Sequence, residues 1–255
     1  MYVLRLTQLA APRMSYWPMV ADALRKDWLP RLLNASELAR TNPDDFWFTY
    51  NDTVLRWRWP IGLAYDFCHA RTLASDGQAP IPWSITVHLS QAKPDTKASL
   101  DQCHASYMAR LKEADYLLWG SCKRTLELPR EQQDRLWKSV CAHECDAYND
   151  VMHTLRGDWR DDALDPSAAV SVRRLPLSFY VAPHGAPVVQ EPMPPMHDEN
   201  TPTTLRMALE RSFPARPPPT ALLHGIVLPP DTPLAYLTRS MSYLDGWLHI
   251  IVMDT

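Results

Sequence analysis

The sequence predicts an α+β fold in which two small mixed sheets, each wrapped around one helix, flank a helix-rich middle. Three observations carry that prediction. Short strand-like runs cluster in the first and last thirds of the 255 residues. One continuous helical stripe runs through the middle, from Leu100 to Leu118. The order of elements in the first third recurs in the last, so the chain reads as an internal structural repeat with little identity between its copies.

In the first third, Tyr2 to Gln8 alternates as a strand does, and Pro12 stops it. Ser15 is the expected N-cap of a helix from Tyr16 to Leu33. Pro18 falls in its first turn, where a missing N–H costs little. Val20, Leu24, Trp28 and Leu32 form an i, i+4 stripe that should face a sheet. Phe46 to Tyr50 is aromatic and strand-prone, and Asn51 to Thr53 is a turn. Val54 to Trp59 then alternates, with Leu55, Trp57 and Trp59 on one face and Arg56 and Arg58 on a solvated one, which predicts a hairpin. Pro60 ends it. Ile61 to Cys68 fits a short helix and Pro82 to Leu89 a further strand. Trp47, Trp57, Trp59 and Trp83 are expected in the core.

In the middle, Leu100, Cys103, Tyr107, Leu111, Ala114 and Leu118 recur at spacings of three and four, one face of a helix. Pro129 opens a second helix, expected to run unbroken from Arg130 to Arg156. Trp137, Val140, Cys141, Tyr148, Val151, Met152 and Leu155 mark its buried side. The two helices should form a hairpin, and the acidic segment Asp158 to Asp165 an exposed linker.

In the last third, Leu175 to Val181 is a strand, Pro183 to Gly185 a turn and Pro187 to Gln190 the start of a returning strand. Thr201 or Thr203 caps a helix holding Leu205, Ala208, Leu209 and Phe213. Leu222 to Leu228 reads as one strand with a bulge at Gly225. Thr232 to Tyr243 is a short helix, and Trp247 to Met253 the closing strand. This order is that of a ubiquitin-like β-grasp sheet holding one helix. The expected division is 1–96 for the first such domain, 97–165 for the helix-rich domain and 166–255 for the second.

Composition narrows the function. Apolar residues make up 46% and charged residues 22%, ordinary values for a globular protein. The net charge of −3 argues against nucleic acid as a partner. No run reaches the ~18 apolar residues of a membrane span, and Met1 to Ala11 lacks the layout of a signal peptide. Five cysteines, an odd number, fit reduced thiols better than a disulfide framework. Cys141-Ala-His143-Glu-Cys145 has no second ligand pair, so no metal is expected. Cys103-His104 lies on the buried stripe without an orienting Asn or Asp, which argues against a thiol hydrolase. With seven glycines and no phosphate loop, a nucleotide cofactor is not expected either.

Four segments carry a resemblance: PRMSY at Pro12–Tyr16; FWFTYNDTVLRWRWPIGLAYDF at Phe46–Phe67, followed by PWSITVHL at Pro82–Leu89; LKEAD at Leu111–Asp115; and HGIVLPPDTPLAYLTRSMSYLDGWLHIIV at His224–Val252. In that order they resemble the autophagy-related protein 5 family. The resemblance implies a non-catalytic, ligase-like subunit of a ubiquitin-like conjugation system, without cofactor. It implies that autophagy protein 12 is joined by an isopeptide bond to Lys112, through the activating enzyme autophagy protein 7 and the conjugating enzyme autophagy protein 10. It also implies binding of autophagy protein 16, cooperation with the lipidating enzyme autophagy protein 3, and transfer of autophagy protein 8 to phosphatidylethanolamine. The implied location is the cytoplasm and, peripherally, the preautophagosomal membrane. The alternative is a purely non-covalent scaffold for the same partners. Relatives carry a further strand before the one at Tyr2–Gln8, so either the first domain lacks a strand or the sequence starts late.

Lys112 is one of only six lysines and lies about 100° around the helix from buried Leu111. Its amine can therefore reach solvent while its stem lies on apolar surface. Attack on a thioester needs the neutral amine. Glu113 and Asp115 attract an ammonium and do not discharge it, so activation is expected from the conjugating enzyme.

Overall fold

Tyr16 is extended, at φ −117° and ψ 154°, and hands over to α1 (Trp17–Ala23) with Pro18 in the first turn. The N-cap is thus Tyr16 instead of Ser15, and no side chain caps it. The helical run continues through a π-helical stretch, Leu24–Trp28, into α2 (Leu29–Leu32). Pro30 removes the N–H that an α-helix would return to the Lys26 carbonyl, and the turn before it is the one that widens. The computed structural model describes residues 8–42, 45–89, 97–156, 172–182, 188–214 and 219–253. The strand expected from Tyr2, the linker at Asp158–Asp165 and the turn at Pro183–Gly185 lie outside them.

α3 (Ala35–Arg40) was not expected, though its signal is in the sequence. Asn34 Oδ1 accepts from the Glu37 N–H at 2.9 Å, and Glu37 Oε2 accepts from the Asn34 N–H at 3.0 Å. This reciprocal capping box satisfies two otherwise orphaned donors. β1 (Trp47–Tyr50) and β2 (Thr53–Val54) pair antiparallel around Asn51 and Asp52, both at positive φ. The alternation beyond Val54 does bury Leu55 and Trp57, but the pairing with β1 ends at the bond from the Leu55 N–H to the Phe48 carbonyl, at 2.9 Å. β3 (Thr86–His88) lies on the other edge of β1, giving the order β2-β1-β3. The Trp17 ring of α1 sits 4.9 Å from Phe48, which sits 5.5 Å from Trp57, and all three are buried. α4 (Ile61–Cys68) runs as expected, and α5 (Ala70–Asp76) ends at Gly77 in the left-handed region.

α6 (Leu100–Trp119) and the short α7 (Lys123–Leu126) precede α8 (Arg130–Ala142) and α9 (Cys145–Arg156). The helix expected to run unbroken from Arg130 is therefore two. His143, at φ 60° and ψ 35°, turns the chain so that α9 packs back on α8. Leu136 and Val140 face inward from α8, and Tyr148, Val151, Met152 and Leu155 from α9. Trp137 and Cys141, expected inside, are only half-buried.

The last third forms β4 (Leu177–Ala182), β5 (Val189–Gln190), α10 (Leu205–Ser212), β6 (Thr220–Leu223), β7 (Ile226–Val227), α11 (Leu234–Met241) and β8 (Leu248–Met253). The sheet order is β5-β4-β8-β6-β7, with β4 and β8 parallel from Leu177 opposite Leu248 to Ala182 opposite Met253. Thr204, one residue past Thr203, is the N-cap of α10. The single strand expected over Leu222–Leu228 is a hairpin. His224 and Gly225 both have positive φ, so Gly225 forms a tight turn and not a bulge.

The chain divides into two compact units, Met1–Tyr65 with Pro80–Ser106, and Asp66–Ala79 with Tyr107–Thr255. The first holds the three-stranded sheet and the aromatic core. The second holds the five-stranded sheet, α8, α9 and most of α6.

Candidate functional site

α6 places Lys112 on the rim of its buried face. Tyr107, Met108, Leu111, Ala114, Asp115 and Leu118 are buried, Ala109, Glu113 and Tyr116 are exposed, and Lys112 is half-buried between them. Its side chain makes no hydrogen bond or ion pair among the described residues. The stem therefore lies along the helix edge while the amine stays uncommitted. The arrangement matches the position expected from the 100° step past Leu111.

The buried face of this helix turn docks on the chain just before β8. The Trp247 indole N–H donates to the Arg110 carbonyl at 2.9 Å, and the Arg110 guanidinium lies 4.7 Å above the Trp247 ring. The Tyr107 and Tyr148 hydroxyls both donate to the Leu244 carbonyl, at 3.3 and 2.8 Å. Ala114 faces Gly246, where an added Cβ would meet it at 3.1 Å and would collide with the Arg156 guanidinium. Gly246 also has φ +86°, a conformation that side chains resist. Asp115 is buried, and its Oδ2 accepts from the Thr125 N–H at 3.1 Å and the Thr125 hydroxyl at 3.0 Å. It ties α6 to the start of α7. Although three residues from Lys112, it makes no ion pair with it among the described residues, and its Oδ2 serves Thr125 instead. The far end of α6 is closed by Gly120 at φ +74° and by Arg173 and Arg174, whose N–H groups donate to the carbonyls of Leu118 and Leu117.

Behind Trp247 lies a buried polar chain. The Tyr180 hydroxyl meets His249 Nδ1 at 2.7 Å, and His249 Nε2 meets Asp245 Oδ2 at 2.8 Å. Asp245 Oδ1 accepts from the Trp247 N–H at 3.1 Å. Burial alone would push the Asp245 carboxyl up. The His249 imidazole, the Arg110 guanidinium and the Trp247 N–H outweigh it and hold the carboxyl below the usual range. Tyr180, His249 and Asp245 are ordered like a catalytic relay, but all three are buried. Their chemistry is to brace the Asp245–Trp247 turn on which α6 rests. Nothing in the sequence pattern singles out Trp247, Arg110 or Asp245 as a group, because Arg110 meets the other two across more than a hundred residues.

The other sequence candidates stay apart from this site. Cys103 is buried, with its thiol 3.5 Å from the Trp57 carbonyl. Cys141 is half-buried, and burial pushes its thiol up, whereas Cys145 is exposed. Among the described residues, no group of His, Cys, Asp and Glu could hold a metal ion. Among them, too, no helix is long and apolar enough to cross a membrane.

Comparison with known proteins gives three family matches: "Autophagy protein ATG5, UblA domain" over residues 4–89, the "alpha-helical bundle region" over 100–157 and the "UblB domain" over 174–252. "Autophagy protein 5" of Phaeosphaeria nodorum is 29% identical over 278 residues, covering 95% of this chain and 85% of that protein. Its counterpart in Aspergillus oryzae is 28% identical over 291 residues, covering 96% and 86%. The crystal structure of Kluyveromyces marxianus Atg5 matches with a TM-score of 0.69 at 17% identity, over 98% of this chain and 91% of that one. The fold is therefore two ubiquitin-like domains flanking a helical bundle region, as the order of elements had predicted.

Proposed function

The chain belongs to the autophagy protein 5 family and has a role in autophagy, and from that premise we propose that Lys112 accepts autophagy protein 12 through an isopeptide bond. In this reading residues 1–96 and 166–255 are the ubiquitin-like domains, and 97–165 is the helix-rich domain that presents the amine. The observation that carries the proposal is an uncommitted lysine at the edge of a helix turn whose opposite face is fixed by Trp247, Tyr107 and Asp115. Fixing the backbone around a nucleophile lowers the entropic cost of presenting it.

The step balances without water. The neutral Lys112 Nζ attacks the thioester carbonyl of the modifier's C-terminal glycine. A C–N bond forms as the C–S bond breaks. The cysteine of autophagy protein 10 leaves as thiolate and takes up the proton that the amine releases. Autophagy protein 7 supplies the charged enzyme. This chain contributes position and no catalytic group of its own. The conjugate, bound to autophagy protein 16, then orients autophagy protein 3 so that autophagy protein 8 passes to phosphatidylethanolamine at the preautophagosomal membrane, where the complex sits peripherally.

Incubation with autophagy protein 12 and both enzymes tests this. The expected result is a denaturant-resistant adduct that disappears in Lys112→Arg. An adduct that survives in Lys112→Arg would sink the proposal. A complex that forms but separates in denaturant would favour the non-covalent scaffold instead.

A further inference from the structure

Tyr116 is exposed over 59% of its surface, the most open aromatic side chain of α6. It stands four residues after Lys112, one turn further along the same face and about 6 Å up the axis. Three residues before Lys112 on that face is Ala109, also exposed and only a methyl group in size. Side chains on a helix lean toward its N-terminus. The Lys112 stem therefore leans toward Ala109, and the Tyr116 ring leans over the turn that carries Lys112. An incoming thioester meets an open side at Ala109 and an aromatic wall at Tyr116.

We infer that Tyr116 is a specificity-determining residue for acceptor recognition. Its ring packs against the extended C-terminal tail of the incoming ubiquitin-like modifier while the tail is still a thioester on the conjugating enzyme. The inference rests on Lys112 being the acceptor, since only that reading brings a tail to this face. Two features favour a tail over a folded surface. The exposed groups beside Lys112 on this face are one methyl at Ala109, one carboxylate at Glu113 and one ring at Tyr116, an area that fits one or two extended residues. The thioester carbonyl must also come within bonding distance of an amine held at the helix edge, so the last residues of the tail must lie along this face. Tyr116 is held by no side-chain hydrogen bond among the described residues, and its ring can cover apolar tail surface at little entropic cost.

The test is single-turnover transfer from preformed thioester of autophagy protein 12 on its conjugating enzyme to the full chain, with transfer rate read against acceptor concentration. Tyr116→Ala is expected to lower kcat/KM about tenfold, with the loss mostly in KM, and Tyr116→Phe to restore most of it. Ala109→Trp, which closes the open side, is expected to slow transfer by a similar factor. Tyr236→Ala, which removes another exposed tyrosine, on α11, is the control and leaves the rate unchanged. Melting temperatures of all variants separate recognition from folding. A wild-type adduct at Lys112 with an unaltered Tyr116→Ala rate overturns this inference and leaves the proposed function standing. Absence of any Lys112 adduct in the wild type overturns both.

Discussion

Tyr107 and Tyr116 are the same side chain on opposite faces of one helix, nine residues or about 180° apart. Tyr107 is 2% exposed, donates to the Leu244 carbonyl and lies 5.5 Å from the Trp137 ring. Tyr116 is 59% exposed and makes no side-chain hydrogen bond among the described residues. The contrast extends along the helix. Leu111, Ala114, Asp115 and Leu118 are locked into the second unit, while Ala109 and Glu113 face solvent and Lys112 sits at the border. One face therefore sets where the amine stands, and the other decides what can approach it. Changes on the two faces should separate cleanly into losses of stability and losses of transfer.

The largest effect is expected at Trp247. It is buried, its ring underlies the Arg110 guanidinium and its N–H reaches the Arg110 carbonyl. Trp247→Ala should cost about 3–5 kcal/mol, the usual range for removing a large buried aromatic. Urea denaturation measures it. A loss under about 1 kcal/mol would mean that the docked face does not fix α6, and the contrast would collapse.

Asp115 comes next. Its carboxylate serves both the N–H and the hydroxyl of Thr125, and both residues are buried. Asp115→Ala leaves those donors without their acceptor and should cost about 1–3 kcal/mol. Conjugation by this variant sharpens the comparison. Transfer should fall as the Lys112 turn loosens, and Thr125→Val, which removes only the hydroxyl, should fall less. Equal loss in both variants would show that the hydroxyl alone supports the turn.

Much of this frame was legible in the sequence, for reasons that also explain the misses. The α6 stripe is legible from Cys103 to Leu118, because a three-and-four spacing of apolar groups is a local signal, whereas Leu100, in the first turn, is exposed. Lys112 fell on the rim by the same arithmetic. The Asn34–Glu37 capping box is an equally local signal for α3. The break at His143 was hidden, since a non-glycine residue in the left-handed region leaves no compositional mark. The partners that hold α6 were illegible for a different reason. Arg110 and Trp247 stand 137 residues apart, and they meet only once the second unit has folded. The role of Asp115 is illegible too: at i+3 it lies within reach of Lys112, but its carboxylate is taken by Thr125, ten residues further on.

Acid offers a gentler perturbation of the docked face. The Asp245 carboxyl is held below its ordinary value, with burial opposing and His249, Arg110 and Trp247 prevailing. A depressed carboxyl contributes stability that is fully present above its unfolded value, about 3.9. That contribution is lost as the pH falls through the lower folded value. The stability difference between wild type and Asp245→Asn should therefore be constant near neutrality and shrink below about pH 4. A difference unchanged down to pH 2 would show that the ionic state of Asp245 does not brace the turn under α6.

The smallest stability effect is expected where the functional one is large. Tyr116→Ala removes an exposed ring with no side-chain hydrogen bond among the described residues, so it should change unfolding free energy by no more than about 0.5 kcal/mol. Tyr107→Phe, on the opposite face, removes a single hydroxyl that donates to Leu244 and should cost about 1 kcal/mol. The two tyrosines thus make a matched pair for thermal denaturation. The deeper cut, at Tyr116, should be the milder one. If Tyr116→Ala instead lowers the melting temperature more than Tyr107→Phe, the ring is part of the fold. Its effect on transfer would then reflect a disturbed helix and not a lost contact with the incoming tail.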